Sequence, residues 1–176
     1  MRPYKVLIAL LTGVLLFAGC SNKVEEKPVV KIEKGNIAPA IVVGKPFPKE
    51  TLTDQFGKKG GVTDDTKKVI LVFGKATGHL VKEFLNTKPA DYLAVKHTVF
   101  IADVSGMPSL ILKYVALPDL QKHRYPIYLI TDKGASKSYK NDRYADFIMV
   151  VDLDDNGIVE KAEFVTTAKD LEKAID

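Results

Sequence analysis

Long apolar runs alternate along this chain with short polar breaks marked by Gly and Pro, and the lengths of the runs predict the elements. Val69-Ile70-Leu71-Val72-Phe73 is continuous, β-branched and apolar. A run that short with no polar alternation predicts a strand buried on both faces, in a sheet covered by helices. Thr98 to Asp103 and Phe147 to Val151 repeat the pattern, and Ile127 to Thr131 makes a further strand behind Pro126. After a loop from Gly74 to Gly78, Leu80, Phe84 and Leu85 recur at helical spacing, and Pro89 to Ala94 predicts a second short helix. Ser105-Gly106-Met107-Pro108 opens another helix, with Ser105 as cap, Pro108 in the first turn and Leu110, Ile111, Tyr114 and Val115 as its apolar face. Leu52 to Lys58 reads as a strand end with a turn closed by Gly57, and Asp132-Lys133-Gly134 as another turn. Asn156-Gly157 turns a hairpin back through Ile158-Val159. Thr167 with Asp170 three residues on gives a capping-box-like start to a last helix facing Leu171 and Ile175 inward. The order β-β-α-β-α-β-β-α predicts an α/β fold of three layers, a central mixed sheet flanked by helices.

The N-terminus follows a different pattern. Arg2 and Lys5 precede an apolar stretch from Val6 to Phe17, which ends in Ala18-Gly19-Cys20. That stretch is about 12 residues, short of the roughly 20 a membrane-spanning helix needs, and charge followed by an apolar core is the layout of a secretory signal. Small residues at the two positions before a cysteine resemble the lipobox read by lipoprotein signal peptidase, although Phe17 stands where Leu is usual. The resemblance implies a signal peptide over 1–19 and diacylglycerol and acyl chains, palmitate among them, on Cys20. Ser21 after the cysteine resembles an outer-membrane sorting signal. Two or more acyl chains give stable anchoring where one gives only marginal binding. Residues 20–42 are then expected to be a lipidated start and flexible tether, and 43–176 the folded domain. A 20-residue tether reaches at most roughly 65–70 Å.

Charge changes the picture little. The 26 basic and 22 acidic side chains give +4. Arg2 and Lys5 leave with the signal, so the mature chain is close to balanced and gives no reason to expect nucleic-acid binding. The cysteine count matters more. Cys20 is the one cysteine of the chain. Once it is lipidated the domain has no thiolate for disulfide exchange, peroxide reduction or metal capture.

Four segments in this order resemble the thioredoxin-like superfamily over about 43–176. Gly44-Lys45-Pro46-Phe47-Pro48 with Leu52 to Lys58 is similar to the opening of peroxiredoxins and membrane-tethered thioredoxins. Val69 to Phe73 is similar to the strand leading to the redox motif, Arg124-Tyr125-Pro126-Ile127 to the cis-proline turn before the hairpin, and Asp152 to Val159 to the hairpin turn. Lys122 to Pro126 and Val150 to Gly157 resemble the exported, cysteine-less YtfJ-type branch. The resemblance implies a thioredoxin-like fold. Where active members carry their cysteines this chain reads Gly74-Lys75-Ala76-Thr77-Gly78-His79-Leu80-Val81, so neither thiol–disulfide oxidoreductase nor thiol peroxidase chemistry is expected. What remains is a scaffold whose cleft, formed by Lys75, Thr77, His79, Asp103, Tyr125 and Pro126, is expected to bind an envelope protein or peptide without catalysis.

Two alternatives have their own residues. His79 and Asp103 could serve a non-thiol enzyme or metal carrier in that cleft. His79, His97 and His123 share no metal-ligand spacing. The stretch from Asp152 to Glu163 fits the EF-hand loop pattern, with Asp152, Asp154 and Asn156 at positions 1, 3 and 5, Gly157 at 6, Glu160 at 9 and Glu163 at 12. Calcium there requires a helix on the approach, whereas Phe147 to Val151 reads as a strand. No other cofactor is implied, since neither a P-loop, a dinucleotide fingerprint nor a nucleophile motif appears.

Overall fold

The structure, a computed structural model, describes residues 27–176. The expected signal peptide and Cys20 lie outside the described residues. The central run becomes strand β6 (Lys68–Val72), with Ile70 and Val72 facing one core and Val69 and Leu71 the other. A strand buried on both faces needs no polar alternation, which is why the run is uniformly apolar. β7 (Thr98–Asp103) and β8 (Tyr128–Ile130) continue parallel on one side of β6. On the other side lie the antiparallel hairpin strands β9 (Ile148–Leu153) and β10 (Val159–Val165). The edges are β1 (Val30–Ile32) against β10, and β4 (Leu52–Asp54) with β5 (Lys59–Gly60) beyond β8. The sheet order is β1-β10-β9-β6-β7-β8-β4-β5.

One face is covered by α1 (Lys75–Asn86), α2 (Tyr92–Val95), α6 (Ala168–Ile175) and the helical segment 109–120. That segment runs as α3 (Ser109–Ile111), a π-helical stretch (Leu112–Ala116) and α4 (Leu117–Leu120). The other face is covered by the small sheet of β2 (Asn36–Ala38) and β3 (Ile41–Val42), by Phe47 and by α5 (Lys133–Tyr139). Thr167 caps α6 as expected, its hydroxyl accepting from the Asp170 amide at 3.1 Å.

Three expectations need correcting. The tether does not extend to residue 42. Val30, Lys31 and Ile32 pair with Phe164, Glu163 and Ala162, and Ile37 and Ile41 are fully buried. Val30, Ile32, Ile37, Ala38 and Ile41 all pack into the core on that face of the sheet, and the polar stretch before Pro28 does not extend that far. The turn expected at Asp132 opens α5, because the Asp132 carboxylate accepts from the Ala135 amide at 2.8 Å. The apolar face expected inward on the segment 109–120 is turned outward. Leu110, Ile111, Tyr114 and Val115 are exposed, and Leu112, Leu117 and Leu120 pack on the core. The segment is apolar nearly all round, so its periodicity does not select a face, and the π-helical stretch shifts the helical phase across it.

Ile37 tests the domain boundary. Ile37→Ala is expected to cost about 2–5 kcal/mol in urea unfolding. A residue in a free tether would cost nothing measurable.

Candidate functional site

The parallel strands β6, β7 and β8 end on the same side, and three segments surround that end. The first is the start of α1. Gly74 holds an extended conformation as N-cap and no side chain caps the helix. The loop expected at 74–78 is therefore the first helical turn. Lys75 is exposed at its start. Thr77 is buried and its hydroxyl donates to the Gly74 carbonyl at 2.9 Å, so it closes the turn and is not a cleft donor. His79 is exposed on the outer side and faces Glu83 at 3.3 Å, one turn on.

The second segment follows β7. One Asp103 oxygen accepts from the Ser105 amide at 2.9 Å and the other from the Ser136 hydroxyl at 2.6 Å. Asp103 thus ties β7 to α5, and both its oxygens are engaged there. The third segment, 141–147, precedes β9. Asn141 donates to the Ile37 carbonyl at 2.6 Å and accepts from the Arg143 amide, which fixes the loop. Tyr144 packs against Phe147 and Phe164. A Cβ on Gly74 would lie 4.0 Å from the Ala145 carbonyl, so this loop lies beside the start of α1.

Tyr125 and Pro126 are elsewhere. The resemblance set Pro126 in the turn before the hairpin, but the hairpin is β9–β10 and the loop leading into it is 141–147. Pro126 leads instead into β8, level with Val99 by the β7–β8 register and six positions below Lys75 along the neighbouring strands. The hollow that includes Tyr125 and Pro126 is lined by Gly61, Ala90, Thr98 and Phe100, with none of residues 75–79. No cis peptide bond occurs among the described residues, so the Tyr125–Pro126 bond is trans.

Gln55 explains what Pro126 does there. Proline has no amide hydrogen, so it interrupts the ladder between β4 and β8. The buried Gln55 side chain spans the gap, donating to the Tyr125 carbonyl at 2.9 Å and accepting from the Ile127 amide at 2.8 Å. Its own carbonyl accepts from Gln121 at 2.9 Å. The backbone beside Pro126 is therefore already engaged. The sequence offers no signal for this role beyond a Gln at the end of a strand.

A polar cluster joins α1 to α4. His123 Nδ1 lies 3.0 Å from Asn86 Oδ1 and 3.3 Å from the Tyr125 hydroxyl, and its ring stacks on Tyr125. Burial, with the charge of Lys82, holds the His123 pKa below its ordinary value. Hydrogen bonds from Lys82 and Lys122 bring the Asp119 carboxyl down to about 2. Burial pushes the Tyr125 phenol above its ordinary range. These groups brace two helices.

The geometry lends the calcium alternative no support. Strands, not helices, flank 152–163, and the β9–β10 register sets Lys161 opposite Asp152. Asp152 pairs with Lys68 at 3.0 Å and Lys161 at 3.2 Å, and Glu163 with Lys161 at 2.8 Å and Lys31 at 3.0 Å. The Asp154 carboxylate accepts from the Ile158 and Asn156 amides, which lowers its pKa and shapes the turn. Asn156 and Glu160 are exposed, and Gly157 takes a φ of 73°. Among the described residues no group of three or more His, Cys, Asp or Glu is arranged to hold a metal ion.

The chain is similar to the crystal structure of StoA from Bacillus subtilis, at 16% identity over 73% of this chain and 97% of that one, with a TM-score of 0.51. It is similar also to the solution structure of a candidate protein disulfide isomerase from Bacteroides thetaiotaomicron, at 19% identity over 82% and 90% of the two chains, with a TM-score of 0.50. No family model and no curated protein matches the sequence. The fold is thioredoxin-like, an α/β sandwich around a mixed sheet, and its domain residues contain no cysteine.

Gln55→Ala removes a donor and an acceptor from buried backbone. It is expected to lower stability by about 2–4 kcal/mol, with an unchanged denaturant slope in guanidinium unfolding. A loss under 0.5 kcal/mol would mean that water or a neighbour replaces the amide.

Proposed function

We propose that this protein is a lipid-anchored envelope protein, facing the periplasm from the outer membrane, whose thioredoxin-like domain binds a protein or peptide partner without redox chemistry. The same proposal groups it with the exported, cysteine-less YtfJ-type branch, a reading supported by Lys122 to Pro126 and Val150 to Gly157. The observation that carries the reading is a thioredoxin-like sheet end in which 74–79 supplies an uncapped helix start and no thiol. The loop 141–147 lies beside it. An uncapped helix start offers free amide groups and a positive dipole end to a carboxylate or an extended backbone. The binding end is therefore bounded by Lys75, His79 and 141–147. Asp103 and Thr77 support it from behind, and Tyr125 and Pro126 have no part in it. Catalysis by His79 with Asp103 finds no support, since both Asp103 oxygens are engaged with Ser105 and Ser136.

Photo-crosslinkers in place of His79 and Asp146, with Val95 at the other end of the sheet as control, test the site in living cells. The expected outcome is a discrete protein adduct from the first two positions and none from the third. Adducts at no position, or at Val95 alone, would overturn the binding site. In the same cells Cys20→Ser is expected to move the protein from the membrane to the soluble fraction. Retention of that variant in membranes would overturn the anchor.

A further inference from the structure

The segment 109–120 is apolar on its buried side and on its exposed side. Inward, Leu112, Leu117 and Leu120 pack on the core. Outward, Leu110, Ile111, Tyr114 and Val115 are 69%, 48%, 65% and 60% exposed, and Met107 precedes them at the same spacing. Helices apolar all round are found buried in proteins or in membranes. From Val104 to Pro118 the sequence has no carboxylate, and Lys113 is its single charge. The Lys113 ammonium lies over the Tyr114 ring, 5.2 Å from its centre. Aliphatic, tyrosine and lysine side chains together suit the boundary between acyl chains and anionic headgroups.

The position of the chain's exit says what covers this face. Lys27 lies over the Phe147 ring, and its carbonyl accepts from Thr166, so the chain enters the domain beside the start of β9 and the end of β10. Those points are at the same end of the sheet as Lys75 and Met107, because β9 runs antiparallel to β6. Six residues lie between Cys20 and Lys27, and the seven steps from one to the other reach at most about 25 Å. The stripe begins three strand spacings away across the sheet, about 15 Å. A lipid on Cys20 therefore holds this end within reach of its own bilayer. Lys27 and Lys75 at that end, and Lys113 within the stripe itself, complement an anionic surface.

We propose that the exposed stripe Met107, Leu110, Ile111, Tyr114 and Val115 is a second membrane contact, lying in the headgroup layer of an anionic bilayer when the chain is anchored. This rests on lipidation of Cys20 and adds to it a fixed orientation, with the 74–79 end turned toward the membrane.

The test uses the full chain purified from bacterial membranes, so that lipid blocks the Cys20 thiol. Ile111→Cys, Tyr114→Cys and Val95→Cys each receive one environment-sensitive fluorophore. Each variant is reconstituted into phosphatidylethanolamine–phosphatidylglycerol vesicles that carry spin-labelled lipid. Val95 is a matched control, exposed and apolar at the far end of the sheet. The expected result is flotation of all three, with quenching at 111 and 114 at least about twofold above that at 95, as for an interfacial helix. Leu110→Ser with Val115→Ser is expected to lower quenching at 111 without lowering the melting temperature, since both side chains are exposed. Flotation with equal quenching at all three positions would overturn the membrane contact and leave the anchor standing. So would a probe at 111 shielded from aqueous iodide yet unreached by lipid quencher, since a second copy of the chain would then cover the face. Failure to float would overturn the anchor and this contact together.

Discussion

Strand β6 has no solvent-facing side. Ile70 and Val72 are covered by α1 and α6, Val69 and Leu71 by β2, β3 and Phe47, and β7 and β9 satisfy its backbone from the two edges. A strand closed in this way leaves the chain one place to emerge, at its end, and Gly74 is that place. The start of α1 and the ends of β7 and β8 gather there because the three strands are parallel. Covering the second face of β6 also requires Ile37 and Ile41, so the domain recruits a stretch of chain that would otherwise be tether. The exposed candidate site and the shortened tether both follow from this double burial.

The same constraint separates Pro126 from the site. A strand inserted between β7 and β4 places Pro126 at the lower end of β8, and the missing proline amide is made good by Gln55. Loop 141–147 takes the position before the hairpin, where the resemblance had set a proline. It is fixed through Asn141 and through the packing of Tyr144 on Phe164. The chain thus has a thioredoxin-like sheet in which the start of α1 and the loop 141–147 lie side by side.

Elements with one dominant signal were legible in the sequence. The buried runs of β6, β7 and β9, the Asn156-Gly157 turn and the Thr167 cap all depend on local chemistry that the sequence displays directly. The errors fall where local chemistry is neutral. The segment 109–120 is apolar on every side, so nothing in its period says which side faces the core. The 152–163 loop meets a calcium pattern residue by residue, yet the pattern does not encode the strand pairing that gives Asp152 and Glu163 to lysines. Pro126 follows a run of polar residues as a turn proline would, and its true partner, Gln55, is 71 residues earlier. Long-range pairing of that kind leaves no mark on one sequence.

The length of the linker decides how much the domain's own surface matters. A tether of about 65–70 Å would let the domain tumble freely, and an apolar stripe on it would meet the bilayer only by diffusion. On the proposed lipidation of Cys20, at most about 25 Å would separate the anchor from Lys27, and the stripe would be held at high effective concentration beside the lipid surface. A contact too weak to recruit a free protein then suffices to orient an anchored one. The Lys27 exit, the carboxylate-free segment 104–118 and the outward phase of Leu110, Ile111 and Tyr114 all act in the same direction. On that proposal, a partner reaching His79 would approach along the membrane plane.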